Sequence, residues 1–400
     1  MIKVAIMGYG NIGSGVVWVL QSNKVCISQK AGEDIEIKYI LDVRDFPEDP
    51  LSDKMIKDYK QIVNDPEIQV VIETMGGTQP AYKFVKECLE AGKSVATSNK
   101  ELVAQHGAEL LAIAAKKNIN FLFEASVGGG IPIIRPLNQC ITSDQITEIT
   151  GILNGTTNYM LTKMGRTDME FDAVLKEAQR LGYAERNPSA DIKGYDTCRK
   201  IAILASLAFG KQVSYEDIHT EGICDISHID MEYAKAMNRN IKLFGMCRQK
   251  AGKTEAMVCP VMIGEAHPLY SVNDVMNGIL VRGAVIGDLM FYGAGAGKLP
   301  TASAVVADVV DAVRNLGRNI MVKWDADKIV LESYKQGSYA FFVRIAGKNT
   351  SSIKALGQCQ IITLPELDEF AVITPVMKEA ELKEKLDSIA GVCSVIRLAD

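Results

Sequence analysis

The chain has 400 residues, 48% of them hydrophobic, and a formal charge of -5 spread along its length. That size exceeds one ordinary core, so two or three packed domains are expected. No Lys/Arg-rich run with interleaved aromatics occurs, which argues against a nucleic-acid partner. The most apolar helical run, Ile201 to Phe209, is far short of the ~20 residues of a membrane span. The nine cysteines form no C-x-x-C pair, as expected of reduced thiols in a cytoplasmic protein.

The amino terminus, Met1 to Met7, reads as a buried strand rather than a secretory leader. It leads into Gly8-Tyr9-Gly10-Asn11-Ile12-Gly13 and then into a helical pattern at Val16, Val17, Val19 and Leu20. This strand-turn-helix context is what a dinucleotide fingerprint requires. Gly8 allows the tight turn, Gly10 lets a pyrophosphate approach the backbone, and Gly13 lets the helix pack on the strand. A second strand, Glu36 to Leu41, ends in Asp42-Val43-Arg44-Asp45. An acid there binds a ribose 2'-hydroxyl and an arginine accepts a 2'-phosphate. Arg44 favours NADP(H), and Asp42 leaves NAD(H) open. Two more βα units follow, Val70 to Glu73 into Gly76-Gly77, and Ser94 to Thr97 into Ser98-Asn99-Lys100. Alternating strands and helices predict a parallel, Rossmann-type sheet, whose carboxyl ends place Gly76, Ser98 and Lys100 beside the nicotinamide half.

Phe121 to Glu124 reads as another strand, followed by Ala125-Ser126-Val127-Gly128-Gly129-Gly130-Ile131-Pro132. Glu124 and the exposed backbone of the glycines form either an oxygen ring for a hard cation or a hinge between domains. Gln145 to Leu153 is a further strand, and the turn Asn154-Gly155-Thr156-Thr157-Asn158 after it is rich in hydroxyls and amides, with Thr157 or Asn158 as a helix cap. Downstream lie Glu185, Asp191, Asp196 and Lys200, running into the apolar segment from Ile201. Asp196 and Lys200 are four apart and share one helix face, so the acid can hold the ammonium. By itself that pair is a surface ion pair.

Gly293 to Thr301 precedes a helix over Ser303 to Arg314, and a linker is expected from Trp324 to Gln336. The last sixty or so residues read strand (339–345), helix (Ser351 to Leu356), strand (358–363), strand (369–374), helix (378–389), strand (393–398). This βαββαβ order is ferredoxin-like.

Several blocks together resemble homoserine dehydrogenase: Ala96 to Lys100, Glu124 to Pro132, Ile152 to Tyr159, the Glu185 to Lys200 cluster, and Asp288 to Gly293 through Leu299 to Ser303. They stand in that family's order over roughly residues 1 to 320. The resemblance implies a Rossmann-type NAD(P)-binding domain over 1–130 completed by 303–322, and an α+β substrate domain over 131–302. It further implies NAD(P)H-dependent interconversion of L-aspartate 4-semialdehyde and L-homoserine on the route to threonine and methionine, in a homodimer or higher homo-oligomer. On the same basis Lys200 is the acid/base, with Asp196 and Lys100 as its catalytic partners. Glu185 and Asp191 hold the substrate ammonium with Asp196, while Asn154 and Thr156 complete the substrate site. Glu124 and the carbonyls of Val127, Gly129 and Ile131 match a Na+ or K+ site. Residues 337–400 resemble an ACT regulatory domain, but the loop Ala346 to Ser351 lacks the Asp-x-Pro-Gly turn of ligand-binding copies. A regulatory role and a structural or dimer-forming role both stay open.

Two rivals make different demands. A phosphorylating semialdehyde dehydrogenase, another Rossmann enzyme acting on an amino-acid aldehyde, needs a nucleophilic cysteine with a histidine base. Cys198 instead lies on a helix between Asp196 and Lys200. A non-catalytic dinucleotide and amino-acid sensor has no need of a proton donor, yet Lys100, Asp196 and Lys200 are all present.

Overall fold

Short β-branched runs alternating with helices build a six-stranded parallel sheet. Its strands are β1 (Ile2–Met7), β2 (Ile35–Leu41), β3 (Met55–Ile56), β4 (Ile68–Glu73), β5 (Ser94–Thr97) and β6 (Phe121–Leu122), in the order β3-β2-β1-β4-β5-β6. The computed structural model describes residues 1–167, 169–365 and 367–399. The chain divides into two units, one of Met1–Asp144, Ala202–Ser214 and Gly293–Ile329, the other of Gln145–Ile201, Tyr215–Tyr292 and Val330–Asp400.

In the first unit the central strands are covered on both faces, so they are continuously apolar rather than alternating. Val4 to Met7 and Val70 to Ile72 are fully buried. The strand order reverses between β1 and β4, the switch point at which such sheets bind ligands. The helix Lys298–Arg314 completes the layer, its Ala302, Val305, Val309 and Val313 sharing a core with Val16, Val17 and Leu20. Gly15 permits that approach, since a Cβ there would lie 3.0 Å from Lys298. The helix starts before the expected Ser303, because Pro300 fits a first turn, where its missing N–H is no loss.

Two further expectations change in this unit. Trp324 is anchored rather than opening a linker: it is 5% exposed, its ring lies against Gly107, and its Nε1 donates to Gln212 Oε1 at 2.9 Å. Burying an indole with its N–H satisfied explains the hold, and Gln212 belongs to the segment 202–214 of this same unit. Strand β6 stops at Leu122, and a 3-10 turn, Glu124–Ser126, follows. There the Glu124 N–H donates to the Asp308 carboxylate at 2.8 Å instead of to a neighbouring strand.

The second unit is built on an eleven-stranded sheet. Its spine is a hairpin of Arg239–Lys250 and Lys253–Gly264, paired from Arg239 with Gly264 to Lys250 with Lys253. Ala251 and Gly252 both have positive φ, 50° and 77°, the requirement of a tight two-residue hairpin turn. Ile146–Ile152 pairs with one side of the hairpin and Val392–Ala399 with the other. Residues 337–400 form their own apolar core around Phe341, Val343, Leu356 and Phe370, yet their last strand joins the larger sheet through Val261 to Ile263. The helix expected from Ser351 is a 3-10 segment, Thr350–Leu356.

Candidate active site

Gly8 turns the chain out of β1 at φ +99°, and a Cβ there would press on the Thr74 and Met75 backbone at 3.0 Å. At Gly13 a Cβ would stand 1.9 Å from the Gly8 carbonyl oxygen. Gly10 is open, with only Arg44 Nη2, at 3.9 Å, near its missing Cβ. The helix Asn11–Ser22, which begins with Asn11 and Ile12, carries neither a side-chain cap nor an acid in its first turn. Its leading N–H groups are thus a ready anion site, complementary to a pyrophosphate.

Asp42 and Arg44 pair rather than compete. Asp42 Oδ2 accepts the Tyr9 N–H at 2.7 Å and Arg44 Nη2 at 2.9 Å, while Oδ1 accepts the Arg44 N–H and Nε at 2.9 and 3.0 Å. The Arg44 guanidinium, acting against burial, holds the Asp42 carboxyl well below the usual carboxylate range. Arg44 remains 58% exposed while Asp42 is 7% exposed. The acid is thereby engaged, and the arginine still presents a donor surface beside Gly10.

At the carboxyl ends of β4 and β5, Gly76 and Gly77 take positive φ, 81° and 69°. Lys100, half-buried, opens the helix Lys100–Lys117 directly after Ser98 and Asn99. Sequence reasoning missed the residues that hold these loops. Thr74 donates to the Gly8 carbonyl at 2.8 Å. Asn99 caps the helix through the Leu102 N–H at 3.0 Å and donates to the Gly77 carbonyl at 2.7 Å. Glu73 accepts from Met75 N–H and the Thr97 hydroxyl at 2.7 and 2.5 Å; burial raises its pKa against those bonds. An Asn before a helix start was the available signal for the cap.

In the second unit the structure brings four predicted residues together. Lys200 Nζ lies 2.8 Å from Asp196 Oδ2 and donates to the Leu153 carbonyl at 2.8 Å. Asn154 Nδ2 donates to Asp191 Oδ1 at 2.7 Å and to Asp196 Oδ2 at 2.9 Å, while its oxygen caps the helix Gly155–Arg166 through the Thr157 N–H. Asn154 is therefore the cap expected at Thr157 or Asn158. It alone combines an extended backbone with an acceptor facing the third helical residue. The Thr156 hydroxyl turns to the Tyr183 carbonyl, 2.5 Å away. Glu185 is exposed, and its carbonyl accepts from Gln179 at 3.1 Å. Cys198 is 4% exposed, its thiol pushed up in pKa by burial and donating to the Tyr215 carbonyl at 3.2 Å. Such a thiol is not primed as a nucleophile.

Glu124 has a second use. Its carboxylate accepts the N–H groups of Ile133, Ile134 and Arg135 at 2.6, 2.8 and 2.8 Å. Among these bonds Oε1 takes two and Oε2 one, so acceptor capacity remains at Oε2. Oε2 also lies 3.9 Å from Arg135 Nη1, Val127 and Ile131 are buried, and Gly129 turns at φ +57°.

Comparison with known proteins places these features in one context. Residues 8–124 match the family model described as the NAD-binding domain of homoserine dehydrogenase, and residues 132–310 match the homoserine dehydrogenase model itself. The homoserine dehydrogenase of Bacillus subtilis is 36% identical over 94% of this chain and 85% of its own length. That of Synechocystis is 43% identical over 78% of this chain and 73% of its own. The crystal structure of a homoserine dehydrogenase from Thiobacillus denitrificans superposes with a TM-score of 0.91 at 34% identity, covering 100% of this chain and 98% of that one. A hyperthermophilic archaeal homoserine dehydrogenase in complex with NADPH gives 0.67 at 25% identity, covering 78% and 97%.

Proposed function

This chain belongs to the homoserine dehydrogenase family, and from that premise we propose which of its residues carry the interconversion of L-aspartate 4-semialdehyde and L-homoserine. The activity is that of an NAD(P)-dependent oxidoreductase in amino-acid biosynthesis. The observation that carries the assignment is the buried Lys200–Asp196 contact shared through Asn154 with Asp191.

Two of the three Lys200 donors are held, by Asp196 and by the Leu153 carbonyl; the third is assigned to the substrate oxygen. Reduction of an aldehyde builds negative charge on that oxygen, which an ammonium stabilises and protonates. The Asp191 and Asp196 carboxylates, both held by Asn154, are assigned to the substrate ammonium. Glu185 closes on the same group from its loop, and Thr156 lines the pocket. When bound, the nicotinamide supplies or accepts the hydride. Gly8, Gly10, Asn11, Ile12 and Gly13 hold its pyrophosphate, Arg44 a 2'-phosphate, and Gly76, Ser98 and Lys100 its nicotinamide end, so NADP(H) is preferred and NAD(H) is the weaker cofactor. Glu124, with the carbonyls of Val127, Gly129 and Ile131, holds Na+ or K+ as a structural ion beside the Gly128 to Gly130 turn.

Residues 337–400 are read as an ACT-like unit in a structural role, supported by their strand order of last, first, third and second. The edge strand Gly287–Ala294, with Met290 and Tyr292 exposed, supports self-association, as exposed apolar edges do. Nine unpaired cysteines support a cytoplasmic setting, and among the described residues no helix is long and apolar enough to cross a membrane. The test is a steady-state assay with homoserine and each nicotinamide cofactor, in Na+, K+ or tetramethylammonium at equal ionic strength. A higher kcat/KM with NADP+ and a rise in melting temperature with one alkali ion are expected. Equal use of both cofactors removes the Arg44 assignment, and indifference to the ion removes the cation.

A further inference from the structure

Glu73 ends β4, carried inside by Val70, Val71 and Ile72, and is fully buried. A carboxylate stripped of water is costly unless hydrogen bonds replace the solvent. Glu73 draws them from two separate loops. Oε1 accepts the Met75 N–H at 2.7 Å and the Gly76 N–H at 3.3 Å, and Oε2 accepts the Thr97 hydroxyl at 2.5 Å. The Thr97 oxygen in turn accepts the Asn99 N–H at 2.9 Å, and the Asn99 side chain donates to the Gly77 carbonyl at 2.7 Å. The bonds close a ring: Glu73 to Met75 and Gly76, along the chain to Gly77, across to Asn99, and back through Thr97.

We propose that Glu73 is a positioning residue for the reaction: one buried carboxylate fixes the loop bearing Gly76 against the turn bearing Ser98 and Lys100, and so presets the nicotinamide end of the cofactor site. This rests on the reading of Gly76, Ser98 and Lys100 given above. The glycines make the clamp necessary, because Gly76 and Gly77 with positive φ are backbone of high conformational freedom. The relay also has a direction, from the Asn99 N–H to the Thr97 oxygen and from the Thr97 O–H to Glu73, so the Oε2 position must hold an acceptor. Glutamine keeps one oxygen for Met75 and Gly76 but turns an NH2 toward a hydroxyl that needs an acceptor. Glu73→Gln is therefore an isosteric change that reverses one hydrogen bond. Thr97→Val removes the same bond from the other side with little change of shape.

The experiment measures NADPH dissociation constants by fluorescence, melting temperatures, and homoserine kinetics at saturating cofactor, for Glu73→Gln, Thr97→Val, the double variant and Lys100→Ala. Each of the first two is expected to weaken NADPH binding about tenfold with homoserine KM changed less than threefold. The double variant should be no worse than the poorer single one, since both break one relay. A folded Glu73→Gln enzyme with NADPH affinity within twofold of wild type, or fully additive losses, overturns the proposal. So does a fall in melting temperature alone, the mark of a merely structural role. Should Glu73→Gln fail to fold, Thr97→Val decides by the same criterion. If Lys100→Ala alters neither cofactor affinity nor turnover, it is the reading of the loops that fails; if it alters either while the Glu73 and Thr97 variants do not, only the positioning role falls.

Discussion

Two aspartate–cation pairs, one in each unit, are built around similarly buried acids and differ in the cation and in its exposure. Asp42 and Asp196 each have a side chain 7% exposed and each takes further hydrogen bonds, from Tyr9 in one case and Asn154 in the other. Their cations part company: Arg44 is 58% exposed and Lys200 only 11%. An exposed guanidinium keeps spare donors facing outward and suits a ligand that arrives at the surface. A buried ammonium held on two sides can act at one point only, and it couples to any charge that forms there because water is excluded. On the proposed assignment, burial of the cation, more than the presence of the pair, separates recognition from chemistry.

The sharpest way to break this contrast is Lys200→Ala, expected to lower turnover on the order of 10²-fold or more while NADPH affinity stays within twofold. Steady-state kinetics with a fluorescence titration checks it, and turnover within a factor of a few takes the proton role away from Lys200. Arg44→Ala should do the reverse, weakening NADPH about tenfold and NADH less than twofold in the same titration. Equal losses with both cofactors would locate the 2'-phosphate elsewhere.

A third pair extends the comparison to stability. Arg397 Nη1 donates to Glu221 at 2.7 Å, and His219 meets the same carboxylate at 2.7 Å. Burial pushes the Glu221 carboxyl up, but the His219 and Arg397 bonds outweigh it and hold the group at about 2. A carboxyl depressed on folding contributes stability above its unfolded value near ~4.3, and that contribution is lost as pH falls toward about 2. Glu221 is about one-third exposed, so after solvent screening Glu221→Gln, which leaves Arg397 its bond to Glu379, should lose about 1 kcal/mol at pH 7. It should also flatten the acid limb of urea unfolding between pH 5 and 3, and an unchanged limb assigns the pair no net stabilisation. The smallest effect is expected at Glu185. Glu185→Ala should raise homoserine KM about threefold with kcat unchanged, as for a residue that binds substrate and transition state alike. An unaltered KM removes it from the site.

What the sequence discloses follows the range of the interaction. The Gly8 to Gly13 fingerprint is local, and the turn, the close packing at Gly13 and the uncapped helix are all in place. Asp196 and Lys200 share a helix face by spacing alone, and they touch. Asn154 is different: its partners Asp191 and Asp196 lie 37 and 42 residues away, a distance that only the fold closes. Whether Asp42 opposes or orients Arg44 is likewise invisible in Asp-Val-Arg, because it depends on Tyr9 arriving from the turn after β1. The strand end at Glu124 and the linker start at Trp324 differ from expectation for one reason, since each residue finds its polar partner in a segment far along the chain, Asp308 for one and Gln212 for the other.

The parallel pairing of Val261 to Ile263 with Arg397 to Ala399 has a consequence for how the molecule forms. Contacts this remote in sequence require a large loop to close before any of them can stabilise the sheet, which slows folding. Until the last strand docks, the segment Val258 to Ile263, whose Val258, Cys259, Val261, Met262 and Ile263 are almost wholly buried in the finished sheet, stands as an open apolar edge that a second chain can capture. Refolding yield should therefore fall steeply with protein concentration, limited by how fast strand Val392–Ala399 reaches its place between two neighbours.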